Sequence, residues 1–234
     1  MNASNDDILK CVELETGPEP HRSVIWLHGL GADGHDFEPI VPQLIQAAKS
    51  PVRFVFPHAP VRPVTINNGM AMRAWYDILG LQINRDQDRD GIAMSVAQVN
   101  RLIEREQRRG VAANRIVLAG FSQGGAIALR AGLAQAQPLA AVVALSCYLL
   151  QADERSDWLT AAAASTPVFM GHGSVDPVVP MALGEQAASA LRASGIELHW
   201  QHWPMAHGVS PDEIRVLDQW LAQRWSAAET GPAP

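Results

Sequence analysis

The chain has 234 residues, 47% of them hydrophobic and 18% charged, a balance that suits a globular core and excludes a disordered or coiled-coil chain. With 18 Lys plus Arg against 24 Asp plus Glu, the net charge of −6 offers no electrostatic footprint for nucleic acid or anionic lipid. The start carries no basic region with an apolar run for export, and no stretch reaches about 18 consecutive apolar residues, so one cytoplasmic domain over 1–234 without stable membrane insertion is expected.

In chain order, strands are expected near 8–15 and at 23–28 (SVIWLH), followed by the glycine-rich HGLG and a helix over 36–48. VRFVFP at 52–57 reads as the next strand. From 58 to 89 the pattern breaks into Pro, Asn, Gly and aromatic residues; a connection of that length is more often functional than idle, and it is expected beside the active site. Ile92, Val96, Val99 and Ile103 stand at helical spacing, which predicts a helix over 91–109 with Asp90 as its cap and Gly110 as its stop. Strands follow at 115–120, 139–146, 167–171 and 197–203, alternating with helices over 123–135, 155–164, 179–194 and 211–225. This alternation implies an α/β fold, with a mostly parallel sheet of about seven strands and helices on both faces. Only about ten residues separate the 139–146 strand from the next helix, which leaves no room for a large lid domain. The tail from 227 to 234 has no periodicity and is expected to be mobile.

The chemistry concentrates where the strand RIVLAG runs into Gly120-Phe121-Ser122-Gln123-Gly124 and then an Ala-rich helix. G-x-S-x-G in a strand-turn-helix context is the nucleophile turn of α/β-hydrolases, where small neighbours relieve the crowding around a strained serine. An unassisted serine hydroxyl is a poor nucleophile, so a base and a residue to orient it are required. In this fold class the order along the chain is Ser, acid, His. Asp176, in GHGSVDP after one strand, and His207, in PMAHGVSP after the last, fit as acid and base. Asp212 reads instead as an acid at the start of the last helix. His172 reads as a hydrogen-bonded scaffold residue and His199 and His202 as structural, since no Cys, Asp or Glu spacing around them suggests a metal site. Cys11 and Cys147 give neither a disulfide framework nor a zinc set and read as small buried hydrophobes. For the oxyanion hole, the backbone N–H of Gln123 follows the nucleophile directly, and the loop His28-Gly29-Leu30-Gly31 supplies a second donor at Leu30.

These residues resemble the phospholipase/carboxylesterase family, which includes bacterial carboxylesterases and acyl-protein thioesterases. The likeness spans roughly residues 10 to 225 and rests on HGLGADGHDF, PHAPVRPVTINNGMAMRAWYDI, GFSQGG, ALSCYL, HGSVDPVVP and MAHGVS. The resemblance implies the same triad, Ser122, Asp176 and His207, and the same oxyanion positions, Leu30 and Gln123. The long 58–78 segment looks closest to the bacterial carboxylesterases. It also implies that the loop holding Trp75 borders an acyl pocket, for which Met70 and Met72 would offer further apolar surface. The expected function is hydrolysis of short to medium acyl esters, as small-molecule substrates, through an acyl-enzyme, with no cofactor, no metal and no nucleic-acid partner, and with a homodimer compatible with the sequence. Acyl-protein thioesterase or lysophospholipase activity would use the same triad with a longer or more exposed acyl groove. A silent binding protein on this fold is the reading from another class.

Overall fold

The computed structural model describes residues 8–80 and 86–230. Its main sheet has seven strands: β1 (Cys11–Glu15), β2 (Arg22–Leu27), β3 (Val52–Pro57), then, beyond a hairpin of β4 (Val61–Val64) and β5 (Met70–Arg73), β6 (Ile116–Phe121), β7 (Ala141–Leu145), β8 (Val168–Gly173) and β9 (Leu198–Trp203). The order across the sheet is β1-β3-β2-β6-β7-β8-β9, with β1 antiparallel to β3 and every other neighbour parallel. β2, β3, β7 and β8 are buried along their whole length, and they carry apolar runs such as Val24–Leu27, Phe54–Phe56 and Ala141–Leu145 rather than an alternation of apolar and polar residues.

The strand side chains divide between two cores. Ile25, Leu27, Leu118, Val142, Ala144, Val168 and Met170 face a layer made by α1 (Arg89–Arg108), α2 (Gln123–Gly132) and α4 (Met181–Ala193). Val24, Trp26, Val117, Ala119, Val143, Leu145 and Phe169 face α5 (Pro211–Thr230), through Ile214, Leu217, Trp220, Leu221 and Trp225. Alternation along each strand therefore covers both faces of one sheet. The chain turns from β3 back across β2 to β6, so the strand order reverses between β2 and β6; at such a reversal α/β sheets leave a crevice at the carboxyl ends of the strands.

Several elements differ from the sequence reading. The helix expected over 36–48 is replaced by two short 3-10 turns, Glu38–Gln43 and Ala47–Lys49, because Pro39 and Pro42 remove backbone donors that an α-helix needs. The 155–164 segment is likewise one turn of helix, α3 (Arg155–Trp158), and a 3-10 turn over Ala161–Ser165. The cap of α1 is Asp88 rather than Asp90: its carboxylate accepts the Gly91 N–H at 2.9 Å, two residues earlier than expected. The stretch from 58 to 89 carries the β4–β5 hairpin, and its residues 81–85 lie outside the described residues. The last helix continues to Thr230, so the backbone is helical through the first half of the expected mobile tail, and 231–234 lie outside the described residues. Cys147 is buried as expected, whereas Cys11 is only half-buried. Among the described residues no helix is long and apolar enough to cross a membrane.

Candidate active site

Ser122 sits between the end of β6 and the first turn of α2 at φ 54° and ψ −121°, a left-handed conformation that an L-residue holds only when its surroundings enforce it. The flanking glycines make the turn sterically feasible. A Cβ at Gly120 would stand 2.4 Å from the backbone of Gly124, and one at Gly124 would stand 2.4 Å from the carbonyl oxygen of Leu27. The Ser122 N–H donates to Leu145 O at 2.8 Å, tying the turn to the adjacent strand.

His207 Nε2 lies 2.9 Å from Ser122 Oγ, and His207 Nδ1 lies 2.6 Å from Asp176 Oδ2. Three residues separated by 54 and 31 positions in sequence thus form one hydrogen-bonded row, with Asp176 buried and His207 partly open. The second oxygen of Asp176 accepts the backbone N–H groups of Val178 and Val179 at 2.8 and 2.9 Å. These donors hold the carboxylate and leave Oδ2 aimed at the imidazole. His172 is fully buried, with Nε2 2.8 Å from Val179 O, and burial lowers its pKa, so it stays neutral and donates from Nε2 to steady the 176–179 turn. It is a scaffold residue, as its position before the acid suggested. His199 stacks on Phe169 and His202 is exposed on the edge strand β9; neither reaches the row. Asp212 is exposed and pairs with Arg215. Among the described residues no group of three His, Cys, Asp or Glu could hold a metal ion.

The two expected oxyanion donors are placed together. Leu30 and Gln123 line the same cavity as Ser122 and His207. Gln123 is the first residue of α2, where backbone N–H groups have no intrahelical acceptor. The orientation at Leu30 is decided by His28, which the sequence offered only as part of HGLG. Its Nε2 accepts the Ala59 N–H at 3.0 Å, so Nδ1 carries the proton and donates to Gly29 O at 2.7 Å. A trans peptide points its N–H opposite its carbonyl, so this bond aims the Leu30 N–H away from His28. Burial pushes His28 down to about 4, which keeps that tautomer in place at neutral pH. The neighbouring Gly31 N–H donates to Arg73 O at 2.8 Å, anchoring the loop on β5.

The cavity beside Ser122 has a volume of about 470 Å³, within the range of small-molecule sites. Trp75 is not part of its wall, which corrects the expectation from sequence: the side chain is fully buried, its Nε1–H donates to His28 O at 2.9 Å, and it packs behind the site. Met70 is exposed on β5 and Met72 is bonded through its sulfur to Asn67, and neither lines the cavity. The apolar surface comes instead from Ile66, Ile78, Phe121, Val178 and Val179, with Tyr76 and Tyr148. The segment next to the hairpin was thus the right place with the wrong side chain. Tyr76 follows Trp75 directly in a bend just past β5, and no pattern in the sequence separates the inward residue from the cavity residue. The segment is held by side chains from distant elements. Gln123 accepts the Trp75 N–H at 2.8 Å and donates to Tyr76 O at 2.7 Å, Ser95 Oγ donates to Trp75 O, and Asp88 accepts the Asp77 N–H at 2.9 Å.

A strained serine on a strand-to-helix turn, joined through histidine to a buried aspartate at the carboxyl edge of a parallel sheet, defines a serine hydrolase with the α/β-hydrolase fold. Residues 9–224 match the family model described as Phospholipase/Carboxylesterase, and the chain belongs to that family. It is 37% identical over 211 residues to acyl-protein thioesterase 1 of Gibberella zeae, covering 86% of this chain and 90% of that protein. It is 36% identical over 232 residues to the acyl-protein thioesterase 1 of Cryptococcus neoformans var. neoformans, covering 92% and 97%. Among solved structures, Arabidopsis thaliana SOBER1 superposes with a TM-score of 0.80 at 29% identity, over 87% of this chain and 99% of that one. Zea mays acyl-protein thioesterase 2 gives 0.79 at 27%, over 92% and 98%.

Proposed function

We propose that this chain hydrolyses carboxylic esters of short to medium acyl groups through an acyl-enzyme on Ser122. The observation that carries the reading is the row Ser122 Oγ, His207, Asp176, with spacings of 2.9 and 2.6 Å, opening on a largely apolar cavity. In this reading His207 takes the serine proton as Oγ attacks the acyl carbon and returns it to the leaving group; a water then repeats the cycle in reverse to free the acid. Asp176 holds the imidazole tautomer, and the N–H groups of Leu30 and Gln123 receive the charge on the tetrahedral oxygen. The absence of an inserted domain after β7 favours substrates taken from solution over those requiring an interface to open a cover.

A second reading is thioester hydrolysis at the same site. It is favoured by the similarity to acyl-protein thioesterases at 36 to 37% identity, and it changes only the leaving group. Treatment with a fluorophosphonate should modify Ser122 once and irreversibly, with no modification in Ser122→Ala. A native mass unchanged after excess reagent would favour a silent binding protein instead. Matched esters and thioesters graded by acyl length then rank the two leaving groups.

A further inference from the structure

Tyr76 and Tyr148 come from elements 72 residues apart and meet inside the cavity wall, their hydroxyls 2.7 Å apart. Both rings are nearly fully buried, and both residues line the cavity beside Ser122. Two phenols carry two protons, and the bond between them uses one. Among the described residues neither hydroxyl has a second partner, so one O–H is left without a protein acceptor. Desolvation raises both pKa values, that of Tyr148 to about 12, so neither proton is lost at neutral pH. Apart from Asn67, the other polar side chains of the cavity are committed or different in kind. Gln123 spends its amide on Trp75 and Tyr76, Asp36 offers only acceptors, and Ser122 and His207 belong to the reacting row. Asn67 donates one N–H to Met72 Sδ and keeps the other, which makes it the one rival donor, among the described residues, that the test must separate.

We propose that the Tyr76–Tyr148 pair is a specificity point of this site, selecting acyl groups that carry an acceptor oxygen, such as an ether or keto oxygen, over the hydrocarbon of the same shape. The inference rests on the hydrolase reading above. A methylene chain that displaces water from the pair leaves a buried donor unsatisfied, whereas an oxygen at the matching chain position accepts its proton; the difference corresponds to about tenfold in kcat/KM.

The test uses p-nitrophenyl esters of straight-chain acids beside analogues in which an ether oxygen replaces one methylene, moved stepwise along the chain. For each position the oxygen-to-methylene ratio of kcat/KM is measured in wild type and in Tyr76→Phe/Tyr148→Phe, so that inductive activation of the ester cancels. At one position the wild-type ratio should exceed that of the double variant about tenfold. Equal ratios at every position overturn the proposal, and so does a preference that survives in the double variant, which would assign it to Asn67. If the double variant does not fold, the single variants carry the test: the tyrosine whose proton faces the cavity must lower the preference at least about threefold when replaced. A preference unchanged in both singles overturns the proposal. Fluorophosphonate labelling of the same preparations separates the two levels: labelled enzyme with flat ratios removes only this inference, and unlabelled wild type removes the hydrolase reading beneath it.

Discussion

The two halves of the site are built differently. Ser122, Asp176 and His207 stand at the ends of β6, β8 and β9, and each is fixed by its own short stretch: a glycine-flanked turn, a turn whose amides hold the carboxylate, and a loop closing onto α5. The stretch from Trp75 to Ile78, which brings Tyr76 and Ile78 to the cavity, has no such local frame. It is pinned by Gln123, Ser95, Asp88 and His28, each from a different part of the chain. Chemistry held by local backbone geometry leaves a motif in the sequence, whereas a surface held by long-range polar contacts leaves only a composition.

The largest effect belongs to the strand-end half. Asp176→Asn should lower kcat by roughly 10⁴ with little change in substrate binding, because the amide fixes the wrong imidazole tautomer. Asp212→Asn is the control, since Asp212 is exposed and only pairs with Arg215; a larger loss there would move the acid away from Asp176.

In the other half, Trp75→Ala should cost about 3–5 kcal/mol of stability, from the cavity left by a buried ring and the lost bond to His28 O. Chemical denaturation reads the loss, and the conservative Trp75→Phe isolates the packing share. In Trp75→Phe the acyl length at which kcat/KM peaks should stay where it is in wild type; a shift would return Trp75 to the pocket wall.

Glu213 sharpens the comparison from the strand-end side. It lies in the first turn of α5, fully buried against Gly171 of β8, and neither carboxyl oxygen has a partner among the described residues. Burial pushes its pKa up to about 8 from the ordinary 4.5. Between those values the folded state keeps a proton that the unfolded chain releases, so stability falls as pH rises from about 4.5 to about 8. Glu213→Gln should flatten that slope and raise stability at pH 8 on the order of 3 kcal/mol, measured by denaturation at pH 5 and pH 8. Equal slopes in both proteins would mean that the carboxyl is already ionised in the fold.

The smallest expected effect joins the halves. Gln123→Leu keeps the backbone N–H after the nucleophile but removes both clips on the 75–76 backbone. A loss of about tenfold in kcat/KM, carried mainly by KM and with Ser122 still labelled, fits a loosened wall. A fall in kcat alone would place the damage at the oxyanion donor.

What the amino-acid sequence determined by itself is the α/β alternation behind the mostly parallel seven-stranded sheet and the strand-to-helix turn at Ser122, with Asp176, His207 and the glycine-rich loop of Leu30 legible as candidates after later and earlier strands. The first depends on periodicity, and the turn on a steric demand among neighbouring residues, since a Cβ at Gly120 would stand 2.4 Å from the backbone of Gly124. Tertiary structure alone decided which way AWYDI faces. Trp75 and Tyr76 are adjacent and both aromatic, and nothing local distinguishes them; the carbonyl of His28 draws the indole inward and the hydroxyl of Tyr148 meets the phenol at the cavity. It also decided that Asp88 would cap α1 while holding Asp77, and that Glu213 would be buried without a partner among the described residues. In each of these the outcome depends on a group brought near by the fold, and contacts across such distances carry no periodic trace along the chain.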